Sequence, residues 1–290
     1  MDIQLDDLYM DEDYMEDIDE VSKIDKIINE TEKPITLSLL KNEFKRIGIE
    51  KGDTILVHSS LSKIGWICGG EVTVINALIE AVGEEGTIVM PSHSGDMCDP
   101  AFWSNPPVPS EWFKDIREEM PAFDENITPT YGMGKIAEAF RNFYGVKRSY
   151  HPTVSFSAWG KNKEFITDNH SLEYSLGEKS PLARFYELGG KVILLGVDYD
   201  VNTSFHLAEY RAKNYTETIN ASPILENGKR VFKQYKDIEF KTELFMFLGE
   251  EFEEKYNVNT YNIGNANVKV FNQRDCVDFA VEYFKNCNLY

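Results

Sequence analysis

A chain of 290 residues that is 42% hydrophobic and 13% aromatic can bury one large core or two small ones. Its formal net charge of -19 argues against a nucleic-acid partner, because neutralising phosphates takes clustered Lys and Arg. It suits a cationic small molecule wherever some of the acids line a pocket. No apolar run approaches the roughly 18 to 20 residues of a membrane span, and no basic-then-apolar leader opens the chain. The four cysteines, Cys68, Cys98, Cys276 and Cys287, lack CxxC spacing. They argue against a zinc ribbon or a disulfide framework and suit a reducing cytoplasm.

Residues 1–33 stand apart. Met1 to Glu20 hold ten Asp or Glu and no Lys or Arg, a like-charge density that opposes compaction. The expectation is a flexible acidic extension, with a docked arm as the alternative because apolar residues are interspersed. The body, 34–290, reads as a single domain. A helix is predicted from Thr36 to its stop at Gly48, and Thr54 to His58 reads as a strand. The loop His58-Ser59-Ser60-Leu61 runs on to Gly69-Gly70 and a core-facing helix that closes at Gly83. Such a loop can offer backbone N–H groups to an anion or a thioester carbonyl; a plain structural turn is the alternative.

Gly86 to Pro91 reads as a second strand. The stretch from Gly95 to Pro129 is proline-dense, which forbids long elements and leaves one short helix from Ser110 to Glu118. A loop of that length inside a compact domain is usually functional. It sets Trp103, Trp112 and Phe123 beside Asp99, Glu111 and Asp124, which suits the wall of a pocket for a polar cation. A surface excursion pinned by aromatics is the alternative. A helix from Gly134 to Phe143, a strand from Arg148 to Gly160 and a helix from Leu182 to Leu188 follow. Further on, a strand at Val231 to Tyr235, a helix at Thr242 to Tyr256, a strand at Val268 to Phe271 and a helix at Arg274 to Phe284 complete an α/β chain.

Between them, the run Val192 to Val197 reads as a buried strand. Asn202-Thr203-Ser204 then open a helix that carries His206 and Glu209. Three residues apart on a helix, these two share a face, and a carboxylate beside an imidazole can orient it as a general base. A histidine that merely packs is the alternative.

These pieces, in this order, resemble the aminoglycoside 3-N-acetyltransferase family from about residue 34 to the end. The matching stretches include Val57 to Leu61 with Gly65-Trp66 and Gly69-Gly70, Gly86 to Pro91, and Asn105 to Pro109. They continue with Gly132-Met133-Gly134, Arg148-Ser149 with His151-Pro152, and Asn202 to Arg211. The resemblance implies a layered αβα fold with a central mixed sheet, distinct from the common N-acetyltransferase (GNAT) fold. It implies transfer of an acetyl group from acetyl-CoA to the 3-amino group of a 2-deoxystreptamine aminoglycoside, an antibiotic-resistance activity; the spacing of His206 and Glu209 is not the His-Glu-x-x-His of a zinc hydrolase, so no metal is expected. His206 would be the base and Glu209 its support. His58, Ser59, Ser60, Leu61, Ile64, Gly65 and Ser155 would lie along the cofactor. Asp99, Trp103, Glu111, Asp124 and Asn202 are the candidates for the acceptor side. Backbone N–H groups at Ser59-Ser60 would hold the developing oxyanion. A homodimer is left open. Tyr131 departs from the pattern at a position where a basic residue is expected, which bears on the acceptor. The competing readings are acetyl transfer to another small amine, a CoA-independent hydrolase, and a binding module that recruits through its acidic arm.

Overall fold

The computed structural model describes the backbone of residues 12–286 and the side chains from residue 21 onward. Three strands form its centre: β1 (Thr54–Ser59), β2 (Thr87–Pro91) and, later in the chain, Lys191–Leu195. Between these last two come β3 (Lys147–Arg148) and β4 (Phe156–Gly160), so Lys191–Leu195 is β5. β1 lies between β2 and β5 and runs parallel to both. All three are apolar on both faces, as strands covered on both sides must be. β4 pairs antiparallel with β2, and β3 with β4. After a separate hairpin, β6 (Glu217–Glu226) and β7 (Lys229–Ile238), the strands β8 (Thr260–Ile263) and β9 (Ala266–Asn272) extend the other edge. The sheet order is β3-β4-β2-β1-β5-β9-β8, a seven-stranded mixed sheet.

Strand periodicity divides the core in two. Ile55, Val57, Ile193 and Leu195 face one side, under the helices Leu37–Arg46, Gly70–Val82 and Gly134–Arg141. Leu56, Val192 and Leu194 face the other, under Pro181–Leu188, Ser204–Ala212, Phe245–Tyr256 and Gln273–Asn286. The expected αβα layering is thus present. No helix among the described residues is long and apolar enough to cross a membrane.

Several elements depart from the expectation. Residues 12–30 form a helix, where a flexible extension was expected. Its end is tied down: Asn265 Nδ2 donates to Glu30 O at 3.0 Å, and Trp66 N donates to Thr31 Oγ1 at 2.8 Å. Gly65 permits this approach, since a Cβ there would lie 3.0 Å from Thr31 Oγ1. Residues 1–11 of the acidic extension lie outside the described residues. The strand expected from Arg148 to Gly160 is interrupted, because residues 149–155 turn away between β3 and β4. The strands β6 and β8 and the short helix Lys163–Thr167 are additional.

Candidate active site

Three histidines gather where three neighbouring strands end. His58 lies near the end of β1, His93 two residues beyond β2, and His206 in the helix Ser204–Ala212 that follows β5. Because these strands are parallel, their carboxyl ends open on one side of the sheet, where α/β proteins place their ligands. All three histidines line one cavity of about 1240 Å³.

His206 is held from three directions. Its Nδ1 is 2.7 Å from Glu209 Oε2, and the rings of Phe240 and Phe245 lie 4.3 and 4.9 Å away, centroid to centroid. Glu209 is buried, and its second oxygen accepts the backbone N–H of Lys241 at 2.6 Å. A carboxylate fixed in this way accepts a hydrogen bond from Nδ1–H, so Nε2 carries the lone pair and is left for the cavity. Asn202 opens the helix: its Oδ1 accepts Ser204 N at 3.2 Å while its Nδ2 donates to Cys276 Sγ at 3.4 Å. Fully buried and engaged in these bonds, Asn202 does not line the cavity, where an acceptor contact was expected of it.

The other two histidines are neutral. Burial, with His206 nearby, pulls His58 down to about 3, and Thr203 Oγ1 lies 3.4 Å from its Nε2. Burial and the neighbouring histidines likewise hold His93 at about 3. Both therefore stay unprotonated near neutral pH.

On the β1 side, His58, Ser59, Ser60, Leu61 and Gly65 all line the cavity, with Trp66, Ile67 and Gly70 beyond them. The N-terminal helix closes this end with Lys23, Ile24 and Ile27. Ile64 does not join them, being fully buried in the core beneath. The expected oxyanion role of the Ser59-Ser60 amides loses one donor, because Ser60 N–H is bonded to Leu195 O at 2.9 Å. Ser155 is also fully buried: its hydroxyl donates to Ser92 O at 2.6 Å and accepts from Arg148 Nε at 2.8 Å. It braces the site from behind and does not line the cavity.

The model of the aminoglycoside 3-N-acetyltransferase family matches residues 56–285, which include all three histidines and the loop. The chain belongs to that family. Among its relatives is the SPbeta prophage-derived aminoglycoside N(3')-acetyltransferase-like protein YokD of Bacillus subtilis. That protein is 51% identical over 263 residues, covering 90% of this chain and 96% of the relative. Its crystal structure superposes with a TM-score of 0.89, covering 90% and 97% of the two chains at 50% identity. AAC-IIIb, solved as a binary complex with CoASH, matches at a TM-score of 0.77 and 28% identity, covering 87% and 97%. AAC-VIa bound to sisomicin matches at 0.78 and 27%, covering 87% and 98%. The chain is therefore an acyltransferase of the aminoglycoside N(3)-acetyltransferase kind.

The acceptor side of this acetyltransferase differs most from the expectation. Asp99 is spent on Arg117, with contacts of 2.7 and 2.9 Å, and on Ala101 N. Asp124 accepts Asn126 N at 2.8 Å and so closes its own turn, and Glu111 points to solvent. Trp103 is half-buried. None of these four lines the cavity. What does line it there is the strip Gly132-Met133-Gly134, with Pro91, His93, Asp200, Val201 and Phe245. The family motif named the glycines. His93 carried a signal that was not used: it follows β2 as His58 closes β1.

Proposed function

We propose that this acetyltransferase moves the acetyl group of acetyl-CoA directly onto the 3-amino group of a 2-deoxystreptamine aminoglycoside, with His206 as general base. The observation that carries the reading is the His206–Glu209 pair, which leaves a basic Nε2 at the cavity where three strands end. Support for the two ligands comes from AAC-IIIb with CoASH and AAC-VIa with sisomicin.

The residues at the β1 end fit a pantetheine arm. They combine the hydroxyls of Ser59, Ser60 and Ser62 with the apolar walls of Val57, Leu61 and Trp66, matching an alternation of amides and methylenes. Acetyl-CoA supplies an activated carbonyl whose C–S bond is readily broken. His206 Nε2 takes the proton of the acceptor amine as its nitrogen bonds to that carbonyl carbon. The same imidazolium returns the proton to the departing sulfur. Glu209 stabilises the imidazolium throughout, and Lys241 N–H keeps the carboxylate from turning. Holding both substrates in one cavity supplies the proximity.

Cys98 is not placed to carry an acyl group. Burial pushes its thiol up from its ordinary range, and it does not line the cavity.

The test is thiol release from acetyl-CoA with kanamycin, gentamicin and neomycin-type amines, with mass spectrometry to locate the acetyl group. Acetylation at the 3-amino position is expected. A folded protein that binds CoASH yet acetylates none of them would sink the acceptor assignment. Acetate release from acetyl-CoA or an ester without an amine would favour a hydrolase.

A further inference from the structure

The proposed chemistry gives His93 no role. His93 lines the cavity, and its Nε2 is buried with no hydrogen-bond partner among the described residues. Buried polar atoms are nearly always paired, so an imidazole that lines a ligand cavity with a nitrogen unpaired invites a partner from the ligand.

The residue is held firmly in place. Tyr131 N donates to His93 O at 2.8 Å, while Ser92 N and Ser94 N donate to Ser155 O and Thr153 O at 2.8 and 2.9 Å. The buried guanidinium of Arg148 then bonds Ser92 O at 2.6 Å and Ser94 Oγ at 2.9 Å, on either side of His93. The His93 ring meets Phe156 edge to face, 5.2 Å between centroids. Through Tyr131 and through the bond from Ser94 Oγ to Pro129 O, His93 is tied to the end of the proline-rich loop. The Ser59–Gly70 loop lies on the other strand end. A neutral imidazole in this place neither repels a cation nor takes its proton; it offers directed hydrogen bonds.

We propose that His93 is an acceptor-binding residue whose imidazole hydrogen-bonds a hydroxyl or amino group of the aminoglycoside ring and so sets the reacting amine against His206. This rests on the reading of the function given above.

His93→Phe removes the polar atom but keeps an aromatic ring against Phe156, and His93→Gln restores a polar group at nearly the same reach. With acetyl-CoA saturating, His93→Phe is expected to lower kcat/KM for the acceptor about tenfold, the effect of one lost hydrogen bond. His93→Gln should recover most of it. The Kd for CoASH, measured by calorimetry, should stay within twofold in both. The pH profile should keep its shape, since His93 does not titrate in the working range. An unchanged acceptor kcat/KM in His93→Phe overturns the assignment, and so does an equal loss of CoASH affinity. Failure of His93→Gln to rescue also overturns it, by indicating a packing role. A wild-type enzyme that neither acetylates nor binds any aminoglycoside removes the functional reading and this inference together, whereas an active wild type with an indifferent His93 removes this inference alone.

Discussion

At the residue scale the site turns on how many acceptors Glu209 offers. Its two oxygens take two different N–H groups, that of His206 and that of Lys241, at 2.7 and 2.6 Å. A glutamine has one such oxygen, so in Glu209→Gln one donor loses its partner or the imidazole adopts the other tautomer, with its proton on Nε2. We expect kcat to fall about 100-fold in that variant, and at least as far in His206→Ala, with the KM for acetyl-CoA little changed in both. Because the pair acts as a unit, the double variant should be no slower than His206→Ala alone. Losses that multiply would show two independent roles and sink the dyad. The sequence spacing made the i, i+3 partnership of His206 and Glu209 legible. The clamp behind it was not, because Phe240 and Lys241 are more than thirty residues away and reach the dyad only through tertiary structure.

At the scale of elements, those same two residues follow the hairpin of β6 and β7, of which only the second strand was expected. Its turn is Asn227-Gly228, both at positive φ, 53° and 73°. An Asn-Gly pair between apolar runs is a strong local hairpin signal. Pro223 obscured it; in an isolated two-stranded hairpin a proline can sit on a free edge, as it cannot in a central strand. The N-terminal helix was hidden for a different reason, since acidic density outweighed its apolar residues in the composition. It now faces the cavity with Ile24 and Ile27. Deleting it would confound two effects, because removing acidic residues also favours an anionic donor. Ile24→Ser with Ile27→Ser leaves the charge alone. Losing some 40 Å² of apolar contact costs about 1 kcal/mol, so the KM for acetyl-CoA should rise about fivefold with kcat unchanged. An unchanged KM would show that the helix does not touch the donor. The melting temperature should barely move, since neither isoleucine belongs to either core.

For the whole molecule, the αβα layers were readable because hydrophobic periodicity reports burial directly, whereas the histidines' charge states depend on the finished fold. The resemblance pointed to His151 without saying why it matters. Its ring lies 4.8 Å from that of His170, and both are buried. His151 Nδ1 accepts Val154 N at 3.1 Å, pinning the turn between β3 and β4, and His170 Nε2 lies 2.6 Å from Ser175 O. Burial draws His151 down to about 4 and His58 to about 3; burial, with His151 alongside, sets His170 well below its ordinary value. The folded protein therefore refuses protons that the unfolded chain accepts below pH of about 6.5. Stability from these groups is fully present above that pH and is lost as pH falls toward about 4. Each histidine contributes a slope of about 1 kcal/mol per pH unit, so these three and His93, which burial likewise holds at about 3, should together remove about 4 kcal/mol between pH 6 and 5. Urea unfolding at pH 7, 6 and 5 measures this, and His151→Gln should reduce the slope by about a quarter even where it lowers overall stability. A midpoint that stays level from pH 7 to 5 would mean that these histidines take up protons in the fold, and the neutral packing that supports the turn behind His93 would have to be abandoned.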